Sequence, residues 1–145
     1  MHHFSGLSNF VGVMKQLLLY CLDDDDDDLE FFRQAATSLG YKVSLFKTLL
    51  ALTLGVERAI PDAIFLDIHM PMIGGEEVLS ILQKNEQWKK IPVMMISGAS
   101  PKKLVKYYIE LGSHGIMKKP HGATWDVSLA NAIETLLPVL GRSVA

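Results

Sequence analysis

Short apolar runs alternate with helix-length amphipathic segments along nearly the whole chain, and this alternation restricts the fold more than any other feature. Leu17-Leu18-Leu19-Tyr20-Cys21-Leu22, Ala63-Ile64-Phe65-Leu66 and Val93-Met94-Met95-Ile96 are continuous apolar stretches bounded by turn residues. That is the pattern of strands buried on both faces. Strands are expected over residues 16–22, 41–46, 63–67, 92–97 and 114–118. The first helix carries Leu29, Phe32, Ala36 and Leu39 at helical spacing and stops at Gly40, with Asp27 as its N-cap and Glu30 completing a capping box. A second, over 48–58, presents Leu49, Leu52 and Val56, although Thr53 and Gly55 are weak helix formers. A third covers 76–84 with acidic residues in its first turn. Ser100-Pro101 predicts an N-cap followed by proline at the first helical position, opening a helix that ends at Gly112. The last helix is expected over 124–137. Strands alternating with helices in this way specify a parallel sheet covered on both faces, and right-handed crossovers leave few topologies.

The bulk properties fit one domain of common size. The 145 residues are 49% hydrophobic and 21% charged, which suits a packed core rather than a disordered chain. Fourteen basic against sixteen acidic residues leave no global basic surplus to drive nucleic-acid binding. A local group of Lys102, Lys103, Lys106, Lys118 and Lys119 reads first as a solvated face. The single cysteine, Cys21, excludes an internal disulfide and a cysteine-cluster zinc site, and its place in a buried strand makes it an inert core thiol. No apolar stretch approaches the roughly 20 residues needed to span a bilayer. Residues 1–14 lack the charged start of a secretory signal and read as a flexible extension, with Met14 the more natural start. A domain over 15–141 and a short tail over 142–145 complete the organisation, and the cytoplasm is the expected location.

Chemistry concentrates at the strand ends. Six consecutive aspartates, Asp23 to Asp28, follow the first apolar run directly. An acidic run by itself is commonly a solvated loop. Here it closes a buried strand, and the C-terminal edge of an open α/β sheet is where such folds hold ligands. Strands three, four and five end in Asp67, Ser97 and Lys119. Clustered carboxylates repel one another and favour a bound cation, for which a hard, oxygen-ligated ion such as Mg²⁺ is suited. Carboxylates, a hydroxyl and an ammonium in one cleft form a coherent phosphoryl-transfer site, with Asp67 the best candidate nucleophile.

Four segments in order, Leu22-Asp23-Asp24-Asp25, Leu66-Asp67-Ile68-His69-Met70-Pro71 with Gly75, Met95-Ile96-Ser97-Gly98-Ala99, and Met117-Lys118-Lys119-Pro120, resemble the receiver domain of two-component response regulators over residues 15–140. The resemblance implies a flavodoxin-like, three-layer α/β fold with strand order 2-1-3-4-5. It implies that Asp67 accepts a phosphoryl group from the phosphohistidine of a sensor histidine kinase or phosphotransfer protein. Asp24, Asp67 and the backbone carbonyl of His69 would ligate Mg²⁺, with Asp23 acting largely through water. Ser97 would swing toward the phosphate, Lys119 would pair with it, and the Lys119-Pro120 bond would be cis. The distance from Asp23 to Gly40 suits the spacing usual in that family, so the resemblance implies Asp23 and Asp24 as the acidic pair, with Asp25 the fallback and Asp26 to Asp28 as capping and solvated residues.

The chain departs from the family pattern at Ile116, where an aromatic switch residue is common, at His121 after the proline, and at Gly74, where aspartate is common. His69, two residues after the phosphoacceptor, is expected to face solvent. The histidines show no metal-binding spacing, the methionines read as packing, and an EF-hand fails because Asp28 and Gln34 stand where glycine and glutamate are needed. An aspartate-nucleophile phosphohydrolase would carry a second aspartate where His69 stands. The remaining alternative is a degenerate receiver that binds proteins passively. The expected output is protein contact with a downstream target or a second copy, with no output domain, no nucleic acid and no membrane. By resemblance the readout face carries Lys102, Lys103, Lys106, Tyr107, Tyr108 and Trp125, with Tyr108 and Trp125 equally suited to the core. The only catalysis expected is self-phosphorylation and slow hydrolysis of the aspartyl phosphate.

Overall fold

The computed structural model describes residues 16–144. The N-terminal extension expected over 1–14, and the start proposed at Met14, lie outside the described residues. Five parallel strands, β1 (Leu18–Leu22), β2 (Lys42–Phe46), β3 (Ala63–Asp67), β4 (Val93–Ser97) and β5 (Gly115–Lys118), form one sheet in the order β2-β1-β3-β4-β5. Helices α1 (Asp26–Ser38), α2 (Leu49–Arg58), α3 (Gly75–Gln83), α4 (Val105–Glu110) and α5 (Trp125–Val144) cover both faces. Alternate residues of each strand feed two cores. Cys21, Phe65 and Met94 pack with Phe32 of α1 and with Leu129, Ile133 and Leu136 of α5. Tyr20, Leu22, Ile64, Leu66 and Met95 pack with Leu52 and Val56 of α2, Val78 and Leu79 of α3, and Tyr108 of α4. The inner strands are apolar on both sides because both sides are covered, as the uninterrupted runs require.

Several local expectations need correction. The N-cap of α1 is Asp25, not Asp27: its carboxylate accepts from the Asp28 N–H at 3.0 Å. Glu30 makes no capping box and pairs instead with Arg33 and Gln34. Six identical residues offer six chemically equivalent caps, so the helix start follows from packing Leu29 and Phe32 inward, not from the cap's identity. Ser100 makes no side-chain cap bond. It opens a 3₁₀ turn at Pro101–Lys103, and α4 begins only at Val105. The residue before proline is driven to extended backbone, and Ser100 lies at φ -59, ψ 126. The last helix does not stop before Pro138 but runs to Val144, past the domain boundary expected at 141. Pro138 is exposed on this helix and Leu140, beyond it, is fully buried in the core, which holds the extra turns in place. The Lys119-Pro120 bond is not cis: the described chain has no cis peptide, and trans is the favoured isomer even before proline.

Tyr108 and Trp125 do not belong to an outward face. They are 4% and 2% exposed, and Trp125 sits edge-on to Phe32 in the core. Lys102, Lys103, Lys106 and Tyr107 are exposed. None of the described helices is long and apolar enough to cross a membrane.

Candidate phosphoryl-transfer site at the C-terminal edge of the sheet

Parallel pairing brings the strand ends to one edge. Leu22 of β1 lies beside Leu66 of β3, so Asp23 and Asp67 project from neighbouring strands. Asp67 is in turn paired with Ile96 of β4, which places Ser97 one residue beyond it. Lys118 is paired with Ser97, and the Lys119 N–H donates to the Ser97 carbonyl at 2.7 Å, carrying the lysine into the same corner. Register alone therefore delivers Asp23, Asp67, Ser97 and Lys119 from four strands.

Asp23 and Asp67 are almost fully buried, at 1% and 2% exposure, and Ser97 is fully buried. One oxygen of Asp67 accepts from the His69 N–H at 3.1 Å, and the other accepts from Lys119 Nζ at 3.1 Å. Lys119 Nζ also lies 3.6 Å from Asp23. Asp23 accepts from the Asp25 N–H at 3.0 Å, a turn that folds the acidic run back over the strand end. The Ser97 hydroxyl accepts from the Ala99 N–H at 3.1 Å. The His69 and His121 side chains are exposed. Gly75 approaches the site's floor closely: a Cβ there would lie 2.7 Å from Met95 Cε and 3.4 Å from Ile68 Cα.

Burial pushes the Asp23 carboxyl up to about 7. The Asp25 N–H pulls it down, Asp67 pushes it up again, and Lys119 partly offsets both Asp67 and Asp28. For Lys119, burial disfavours the charge, but the hydrogen bond to Asp28 and the fields of Asp23 and Asp67 outweigh it and hold the ammonium above its usual range. Burial likewise raises the Cys21 thiol well above its ordinary value, reinforced by Asp23, so it stays protonated and inert.

One carboxylate oxygen from each of Asp23, Asp24 and Asp67 lies within 4.8 Å of the others. Three hard oxygens crowded together, with a single ammonium among them that is shared with Asp28, leave negative charge uncompensated. That donor set fits a hard divalent cation of the Mg²⁺ type. Asp24 is exposed, which opens the cluster to solvent, and Asp25 points into the cap of α1 rather than into the cluster.

The sequence reading missed Asp28. Expected to be solvated, it is half-buried and holds Lys119 Nζ at 2.7 Å, the lysine's shortest contact. The signal lay in the helix register: a helix starting at Asp26 puts Asp28 in its first turn, next to buried Leu29. Asp26 pairs with Lys47 at 2.8 Å, and Asp27 is exposed.

The family model described as Response regulator receiver domain matches residues 19–125, most of the described chain. The chain belongs to this family. The receiver domain is 29% identical over 112 residues to protein RcaC of Microchaete diplosiphon, aligning 77% of this chain with 17% of that protein. It is 28% identical over 121 residues to the polar-differentiation response regulator DivK of Brucella ovis, covering 83% of this chain and 93% of DivK. Among solved structures, the chemotaxis response regulator CheY4 of Vibrio cholerae superposes with a TM-score of 0.74 at 21% identity, over 84% of this chain and 100% of that one. The chain thus spans a small part of RcaC and nearly all of DivK. The observed strand order is that of the flavodoxin-like receiver fold.

Proposed function

We propose that this receiver domain is a phosphorylation-dependent switch of a two-component system, taking a phosphoryl group on Asp67 and signalling through protein contacts. The observation that carries the reading is the setting of Asp67. It is buried at the end of the central strand, 3.1 Å from the Lys119 ammonium and clustered with the carboxylates of Asp23 and Asp24. An Asp67 oxygen attacks the phosphorus of a phosphohistidine, the P–N bond breaks, and its electron pair leaves with the imidazole. The product is an acyl phosphate on Asp67. Later attack by water on phosphorus releases inorganic phosphate and restores the carboxylate.

Asp23, Asp24, Asp67 and the His69 backbone carbonyl would hold Mg²⁺, which when bound supplies positive charge against the phosphoryl oxygens. Lys119 pairs with one of those oxygens and Ser97 donates its hydroxyl hydrogen to another, a hydrogen that its present bond from the Ala99 N–H leaves free. The donor of the phosphoryl group is a sensor histidine kinase or a phosphotransfer protein, as the family membership supports. The exposed side chains of Lys102, Lys103, Lys106 and Tyr107 supply a readout surface for a target protein or a second copy.

The test is direct. Intact-mass measurement after incubation with Mg²⁺ and acetyl phosphate should show the gain of one phosphoryl group. Chelation by EDTA should abolish that gain, and so should Asp67→Asn. A wild-type chain that gains nothing would make this domain a passive binding module instead.

A further inference from the structure

Lys119 is contested. Its ammonium lies 3.1 Å from Asp67 and 3.6 Å from Asp23, but its shortest contact, 2.7 Å, is with Asp28 of α1. Both partners in that pair are only partly solvated, at 24% and 21% side-chain exposure. A charge-assisted hydrogen bond in such a place is stronger than a surface ion pair. The direction of Asp28 is set by its own backbone. Its N–H donates to the Asp25 cap at 3.0 Å, and as a first-turn residue its carboxylate is favoured by the helix dipole. An open cleft of about 370 Å³, lined by Asp25, Asp27, Asp28, Phe31, Lys119 and His121 among others, adjoins this pair. Asp28 and Lys119 both line this cleft, and Asp67 ends β3.

We propose that Asp28 is a positioning residue that competes with the phosphoryl group for Lys119, weakening the domain's hold on phosphate at Asp67. A phosphorylated Asp67 needs the ammonium for its own oxygens. In this chain the lysine must first give up, or share, its shortest partner. The energy of the Asp28 pair is therefore subtracted from phosphate binding, and the phosphorylated form is formed less readily and kept less firmly than Lys119 alone would permit. The inference rests on the function proposed above and concerns one residue of the same site.

The test is calorimetric titration of beryllofluoride, a mimic of the phosphoryl group, into the Mg²⁺-loaded protein. Asp28→Asn keeps the shape and the backbone donor to the Asp25 cap while removing the charge. It should bind beryllofluoride about fivefold to tenfold tighter than wild type. Asp28→Glu should remain near wild type. Asp27→Asn removes the same charge from a neighbouring, exposed position and should change affinity by less than about twofold. Each variant is titrated at saturating Mg²⁺, so that a change in Mg²⁺ affinity does not enter the comparison. If wild type binds beryllofluoride and Asp28→Asn binds it no more tightly, the inference is overturned and the receiver reading stands. Equal tightening in Asp27→Asn also overturns it, because net charge would then be the cause. If no variant binds, wild type included, the proposed function itself falls and takes this inference with it.

Discussion

Asp23 carries its carboxyl where only 1% of the residue meets solvent, with Asp67 and Asp28 nearby and one ammonium shared among the three. Its pKa of about 7 in the folded chain lies far above the value near 4 expected when unfolded. Between those values the folded chain retains a proton that the unfolded chain has released, so stability falls as pH rises through that window. Lys119, held above its usual range, stays charged throughout and adds no slope there. Asp23→Asn should therefore be more stable than wild type at pH 8 without metal, by about 1–3 kcal/mol, and melt higher, with the gap closing toward pH 4. Thermal melts showing the same gap at both pH values would refute this account. At this scale the sequence was legible where residues differ and opaque where they repeat. Asp67 and Ser97 each stand alone at a strand end, Lys119 is marked off from Lys118 by the proline that follows it, and each is found at the common edge. Within the aspartate run, composition could not distinguish the residue that caps α1 from the one that holds Lys119, because the distinction lies in helix phase.

The seam between β2 and α2 shows why a weak helix former can be the right residue for an element. Gly55 interrupts an otherwise apolar helical pattern, and propensity alone counts it as a defect of about 1 kcal/mol relative to alanine. In the fold a Cβ at position 55 would lie 2.5 Å from Phe46 Cζ and 2.6 Å from Cε1. The Phe46 ring is itself set edge-on to Tyr20, with centroids 4.8 Å apart. The Tyr20 hydroxyl in turn donates to the Gly55 and Ala59 carbonyls at 3.1 and 2.7 Å, tying the end of α2 to β1. Adding a methyl group must displace the ring, and overpacking of this kind costs about 1–3 kcal/mol. Gly55→Ala should thus destabilise the domain by about 1 kcal/mol net, despite its better helix propensity. In a Phe46→Ala background the same change should become stabilising. Urea denaturation of the four proteins in this cycle decides the matter, and an unchanged sign would exclude ring displacement as the cause. The periodicity of Leu52 and Val56 was enough to predict the helix. The use of Gly55 was hidden because its reason is a contact with another element, beyond any local pattern.

Across the whole molecule, the alternation of strand and helix predicts a covered parallel sheet, but not the order of its strands. That order is what the receiver resemblance implies, and it is the arrangement observed. It has an energetic consequence, because the candidate ligands belong to different strands. Asp23 and Asp24 follow β1 and Asp67 ends β3, so the donor set exists only when the sheet is assembled. A cation bound there binds the folded chain and not the unfolded one. It should raise stability by about 2.7 kcal/mol at a hundredfold excess over its dissociation constant. Protons compete at Asp23 below about pH 7, so the Mg²⁺-induced rise in Tm should be smaller at pH 6 than at pH 8. The order of stabilities at pH 8 should then invert with metal. Without Mg²⁺, Asp23→Asn is the more stable chain, because the buried charge is gone. With saturating Mg²⁺, wild type should match or exceed the variant, because the same charge now helps to hold the cation. Melting curves of both proteins in EDTA and in Mg²⁺ test the crossing. Curves that keep the variant ahead by the same margin in both conditions would mean that Asp23 contributes nothing to holding the ion.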